Sequence, residues 1–293
     1  MSEGFPSPMP RCVERRFFRS GSLRLAYREA GDAAAQPLVL LHPSPRSSAM
    51  FEPWMRELAE HFHVFAPDTP GYGGSDPLAP PPDSLAAYLP PLIEWLQQRV
   101  GPRSMIYGSA TGAQLGVALA NRAPERVQHL LLDNAAHFDA EERDWILSHY
   151  FPDLRPRRDG SHLQELWRMA QQMAQFFPWF AADEAHRYAS REPTAEEVHA
   201  TVCEFLAAGP QYAAAYRAAF VHERASEVQK LKVPVTLFRW LGSMLLPHID
   251  RLLAHTLPPQ LRVVETPAAL PERYAAMNAR LRAVRLSLAL VRP

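Results

Sequence analysis

The chain has 293 residues, 47% of them apolar, enough to bury a large core in one domain or in one domain plus an insertion. Its 31 Lys and Arg balance 31 Asp and Glu and the isoelectric point is near 7.2, so neither a nucleic-acid partner nor an anionic membrane is expected. Cys12 and Cys203 fit no metal-ligand spacing and read as reduced thiols, and residues 1–18 contain no apolar run of signal or anchor length, so a cytoplasmic location is the expectation.

Residues 12–29 hold two short strand-like runs around Ser20-Gly21-Ser22, the pattern of an antiparallel hairpin at a sheet edge. PLVLLH, residues 37–42, is continuously apolar, as a strand covered on both faces requires. A helical stretch follows, then strand HVFAPD, a helix over 84–100, strand SMIYG, a helix over 112–122 and strand VQHLLLDN. This alternation predicts an α/β fold with a doubly wound, mostly parallel sheet.

The alternation stops over residues 137–224, where four segments carry helical apolar spacing with no strand between them. They predict an inserted helical cap, with core segments 1–136 and 225–293 on either side. Strand VPVTLFRW, a helix over 250–256, strand LRVVE and a terminal helix from Pro271 complete the expected core.

Four segments carry a resemblance to the α/β-hydrolase superfamily. His42-Pro43-Ser44-Pro45 resembles its His-Gly-x-Pro turn, in which the backbone N–H at the position of Ser44 helps form an oxyanion hole. Asp68-Thr69-Pro70-Gly71-Tyr72-Gly73-Gly74-Ser75 is similar to a glycine-rich family loop and is assigned no chemistry. Gly108-Ser109-Ala110-Thr111-Gly112 stands between strand and helix where the family has its nucleophile elbow. There the resemblance implies a nucleophile at position 110 and a second oxyanion donor at the Thr111 N–H.

Ala110 has a methyl group, so the ordinary serine mechanism is not open to it. The fourth segment is the pair of late loops that in the family supply an acid and a histidine. Residues 240–247 contain no carboxylate before Asp250, and residues 265–271 contain no histidine, so all three triad positions read as empty. A serine deliberately changed to alanine would leave its acid and histidine in place, so natural divergence is the expectation.

Other groups could still border a pocket. Ser44 is a relocated nucleophile if a base lies within reach, and His42 is the nearest histidine, although a histidine in this turn is more often structural. Some relatives place their acid after the strand that precedes the cap, which here makes Asp133 a candidate, with His137 nearby. Arg46 could pair with a carboxylate-bearing ligand. Ser109, Ala110, His162, Trp167 and Tyr216 are the remaining candidate ligand contacts, though core packing is the commoner role for His162 and Trp167 and for the helically spaced Tyr212, Tyr216, Phe220 and His222.

No metal-site spacing, phosphate-cradling loop or dinucleotide fingerprint is present, so no cofactor is expected. Three readings follow. The cavity binds a small, largely apolar molecule, without catalysis or with non-hydrolytic chemistry. Alternatively, it hydrolyses an ester-type bond through Ser44 or an activated water, or the fold is retained as a non-catalytic interaction scaffold.

Overall fold

The computed structural model describes residues 12–290. Its centre is an eight-stranded sheet of β1 (Glu14–Ser20), β2 (Leu23–Ala30), β3 (Gln36–Leu41), β4 (Phe62–Pro67), β5 (Ser104–Ser109), β6 (Val127–Asp133), β7 (Val235–Trp240) and β8 (Leu261–Thr266). The spatial order is β1-β2-β4-β3-β5-β6-β7-β8. The hairpin β1/β2 and the pair β2/β4 are antiparallel, whereas β4, β3 and β5 to β8 run parallel. The α/β architecture and the edge hairpin are those expected from the sequence.

Why the central strands lack polar alternation is plain in β3. Leu38 and Leu40 join the core under α1 (Glu52–Leu58) and α10 (Leu270–Leu290), while Val39 and Leu41 join the core on the other face. Side chains alternate between faces, and both faces here are covered. Each fully buried Leu or Phe contributes about 1.5–3 kcal/mol.

The second face is covered by α2 (Leu89–Trp95), α3 (Thr111–Arg122), α8 (Ala225–Gln229) and α9 (Leu246–Leu253). Helix α9 begins four residues before the predicted 250–256, because Pro247 sits at its first turn, where a missing N–H has no cost. The terminal helix starts at Leu270, one residue earlier than expected.

Between β6 and β7 the chain forms α4 (Ala140–His149), α5 (Ser161–Met173), α6 (Ala195–Ala208) and α7 (Ala213–His222) before α8. Helix α6 starts with a capping box of Thr194 and Glu197, each side chain satisfying the other's backbone N–H. Phe138, Ile146, Tyr150, Leu166, Met169, Val202 and Phe205 from this segment join the core of the second face, which fixes the insertion over the C-terminal ends of the parallel strands. No helix among the described residues is long and apolar enough to cross a membrane.

Candidate active site

The turn at Ala110 joins strand to helix in a tight, strained geometry. Ala110, between β5 and α3, has φ 47° and ψ −112°, a conformation that L side chains rarely adopt. Its N–H is held by the Asp133 carbonyl at 3.0 Å and its carbonyl accepts the Gln114 N–H at 3.0 Å. Both flanking glycines are required by space. A Cβ at Gly108 would lie 2.2 Å from the Gly112 carbonyl oxygen, and one at Gly112 would lie 2.0 Å from that of Leu41.

Above the elbow lies a cavity of about 750 Å³, walled by the core loops on one side and by α5, α6 and α7 on the other. That is the size range of small-molecule sites. Of the sequence candidates, Ser44, Arg46, Ser109, Ala110, Thr111, Asp133 and Tyr216 line it. Thr111 opens α3, so its N–H has no acceptor within the helix and is free for a ligand.

The other candidates are placed elsewhere. His42 is wholly buried under the loop, its Nε2 accepting the Thr69 N–H at 2.9 Å and its Nδ1 donating to the Pro43 carbonyl at 2.9 Å. Burial lowers its pKa and keeps it neutral, so it is a structural brace and not a base for Ser44. His137 accepts the Ala225 N–H at 3.2 Å and packs edge-on against His255. His162 accepts the Arg157 N–H at the start of α5, and Trp167 is exposed; neither lines the cavity, because the stripe of α5 that turns inward is Leu166, Met169 and Ala170.

Ser44 has its Oγ enclosed and without a hydrogen bond of acceptable geometry. The nearest candidate base, the Tyr72 hydroxyl, donates to the Tyr212 carbonyl, and burial pushes its pKa far up. Ser44 therefore has no group to take its proton. Arg46 reaches across to Thr201 on α6 at 3.4 Å. The glycine-rich loop is held by Asp68, which accepts the Gly74 N–H at 2.8 Å and the Ser48 N–H at 2.7 Å, fixing the strand-end turn that carries Ser44.

Of the candidate acids, Asp133 lies in the cavity wall. Asp133, at the end of β6 and 1% exposed, is a buried acid beside the elbow. Its partner is not a histidine but Arg273, from the first turn of α10, joined to it by an ion pair. Tyr107 also donates to Asp133, at 2.7 Å, and burial together with the Asp133 charge raises the tyrosine pKa so that it stays a donor. The guanidinium lies 4.0 Å from the centroid of the Trp240 ring.

Glu223 is the second group that sequence reasoning missed. It follows α7, lines the cavity and is 5% exposed. Its Oε1 accepts the Ala136 N–H at 2.8 Å and the Gln114 Nε2 at 3.1 Å. Burial dominates and pushes its pKa from 4.5 up to about 8, in spite of those two hydrogen bonds. An acid just past the end of a helix gives no signal in sequence; Gln114, in the buried first turns of α3, was the nearest hint.

The remaining wall is aromatic. Tyr150 and Tyr216 meet through their hydroxyls at 3.0 Å, Tyr216 stacks on Phe220, and Phe176 and Phe177 close the same side. Met50, Met244, Leu270 and Tyr274 border the cavity while remaining exposed, which gives it an apolar rim.

The sequence matches the alpha/beta hydrolase fold family over residues 36–243, and the chain belongs to that family. It is similar to an uncharacterized hydrolase of Saccharomyces cerevisiae, 30% identical over 129 residues, which are 42% of this chain and 43% of the relative. It is also similar to a pimeloyl-[acyl-carrier protein] methyl ester esterase of Nitrosospira multiformis, 31% identical over 109 residues, 37% of this chain and 41% of the relative. The matching segments thus span less than half the length of these relatives. In fold it resembles epoxide hydrolase A of Mycobacterium thermoresistibile, with a TM-score of 0.69, 19% identity and coverage of 93% of this chain and 98% of that one.

Proposed function

We propose that this protein hydrolyses an ester-type bond in a small, largely apolar molecule by direct attack of water, with no covalent enzyme intermediate. The relatives that bear on this are an uncharacterized hydrolase and an esterase. Glu223 is the observation that carries it: a carboxyl in the cavity wall, near the elbow, whose pKa of about 8 suits a group that accepts and returns protons close to neutrality.

In this scheme the substrate carbonyl oxygen rests on the backbone N–H groups of Ser44 and Thr111. Ionised Glu223 takes a proton from water as the water oxygen bonds to the carbonyl carbon. The bond to the leaving oxygen then breaks, and Glu223 returns the proton to that oxygen. An acid and an alcohol leave, and nothing is oxidised or reduced. The Ala110 methyl removes the competing nucleophile and leaves room above the elbow.

The test uses p-nitrophenyl butyrate with the wild type, Glu223→Gln and Ser44→Ala. Expected are turnover without a burst, no labelling by a fluorophosphonate, and a loss of about 100-fold or more in kcat for Glu223→Gln with little change for Ser44→Ala. Full activity in Glu223→Gln, or labelling that vanishes in Ser44→Ala, would sink the scheme. A second reading, ligand binding or non-hydrolytic chemistry, is favoured by the absence of any histidine from the cavity lining among the described residues. It prevails if apolar ligands bind and no ester is cleaved.

A further inference from the structure

Arg273 makes fewer bonds than a buried guanidinium ordinarily needs. It is 6% exposed and carries five N–H donors. Its Nη2 donates to Asp133 Oδ2, which Tyr107 also uses, whereas its Nε is enclosed with no hydrogen-bond partner. Asp133 Oδ1 is likewise enclosed and unpartnered. An arginine present only to neutralise this carboxylate would meet it with two parallel hydrogen bonds. Instead one oxygen serves both Tyr107 and Arg273, and the guanidinium lies over the Trp240 ring, 4.0 Å from its centroid, with donors to spare.

Both Arg273 and Asp133 line the cavity. From these contacts we infer that Arg273 anchors a carboxylate of the ligand, so that the molecule taken up is an apolar compound bearing a free acid group as well as the bond to be cleaved. A ketone or hydroxyl oxygen would use one donor; the two oxygens of a carboxylate match the planar fork. Asp133 and Trp240 then act as positioning residues. One keeps the charge in the cavity floor, the other keeps the fork from turning. The aromatic wall and the apolar rim take the remainder of the ligand.

The inference deepens the hydrolytic reading above, yet it is tested by binding alone. The probes are 4-phenylbutyrate and its methyl ester, titrated into wild type, Arg273→Gln, Arg273→Lys and Asp133→Asn by calorimetry, with the quenching of tryptophan fluorescence as a second readout. Wild type is expected to bind the acid about tenfold or more tightly than the ester, as a bidentate charged contact implies. Arg273→Gln should abolish that preference and Arg273→Lys should weaken it. Asp133→Asn should weaken the preference, because the guanidinium then loses the ion pair that positions it.

Equal binding of acid and ester by the wild type, failure of the acid to bind, or a preference that survives Arg273→Gln would each overturn the inference. The wild-type comparison decides even if a variant does not fold. Ester hydrolysis without acid preference would remove this inference and leave the hydrolytic reading standing. Acid preference without hydrolysis would do the reverse.

Discussion

Gln114 stands one helical turn beyond Ala110, and its side-chain amide donates to Glu223 Oε1 at 3.1 Å. The same residue's backbone N–H holds the Ala110 carbonyl at 3.0 Å. One glutamine thereby ties the elbow of the core to the end of α7 in the insertion. Glu223 is buried with that contact and the Ala136 N–H as its hydrogen bonds, too few to keep its charge at neutral pH.

Stability should therefore depend on pH through Glu223. Its folded pKa, about 8, exceeds the unfolded value near 4.5, so the folded state holds a proton that the unfolded state has released. The stability from this group is complete below pH 4.5 and is lost as pH rises through 8. Glu223→Gln, uncharged throughout, is expected to melt about 3 °C or more above wild type at pH 8 and to match it near pH 4.5. Thermal unfolding across that range checks it. Hydrolysis by the wild type should rise through pH 8, since the base must be ionised.

Ala110 is held at positive φ by the turn and not by chemistry of its own. Gly suffers no such strain, so Ala110→Gly should stabilise the fold by about 1 kcal/mol in urea unfolding. Ala110→Ser restores the side chain of a serine hydrolase but not its base, because Arg273 stands with Asp133 where a histidine would be needed. No fluorophosphonate labelling is expected of it.

Asp133 and Arg273 should be costly to separate. Asp133→Ala or Arg273→Ala leaves one buried charge alone and is expected to lower stability by about 3–5 kcal/mol. The double change Asp133→Leu with Arg273→Met should recover most of that loss, because neither charge is then left unpaired. Chemical denaturation of the three variants measures both effects. Full additivity of the single losses in the double variant would show that the pair is not coupled.

Gly112→Ala should fail where most alanine substitutions in a helix succeed. The new Cβ would lie 2.0 Å from the Leu41 carbonyl oxygen, backbone that cannot turn aside. A loss of more than about 3 kcal/mol, or no soluble protein, is expected. A normal melting temperature would mean that α3 can move away from β3.

The fold was legible because its signals are local. Continuous apolar runs at β3, β5 and β6, glycines bracketing Ala110, and the switch from strand to helical spacing after Asp133 each speak through neighbours in the chain. The turns at Ser44 and Ala110 are local in the same way. His42, beside a strand end, has backbone groups within reach, and its ring bonds the Thr69 N–H and the Pro43 carbonyl. Phe220 and Tyr216 reached the cavity wall while His222, on the same helix, and Tyr212, just before it, did not line it. Helical spacing names the apolar stripe but not which part of it faces a void.

By itself the sequence determined the doubly wound sheet, the helical insertion and the alanine at position 110. Only the tertiary structure decided what stands around that position. Arg273 meets Asp133 across 140 residues of chain, and Glu223 meets Gln114 across 109. Neither pair follows a period or a motif, because contacts between separate elements are set by how helices and sheet pack and not by spacing along the chain. The histidine was sought at one place in the sequence and was absent; the arginine that takes up the acid there comes from the following helix, whose reach becomes visible only once the chain is folded.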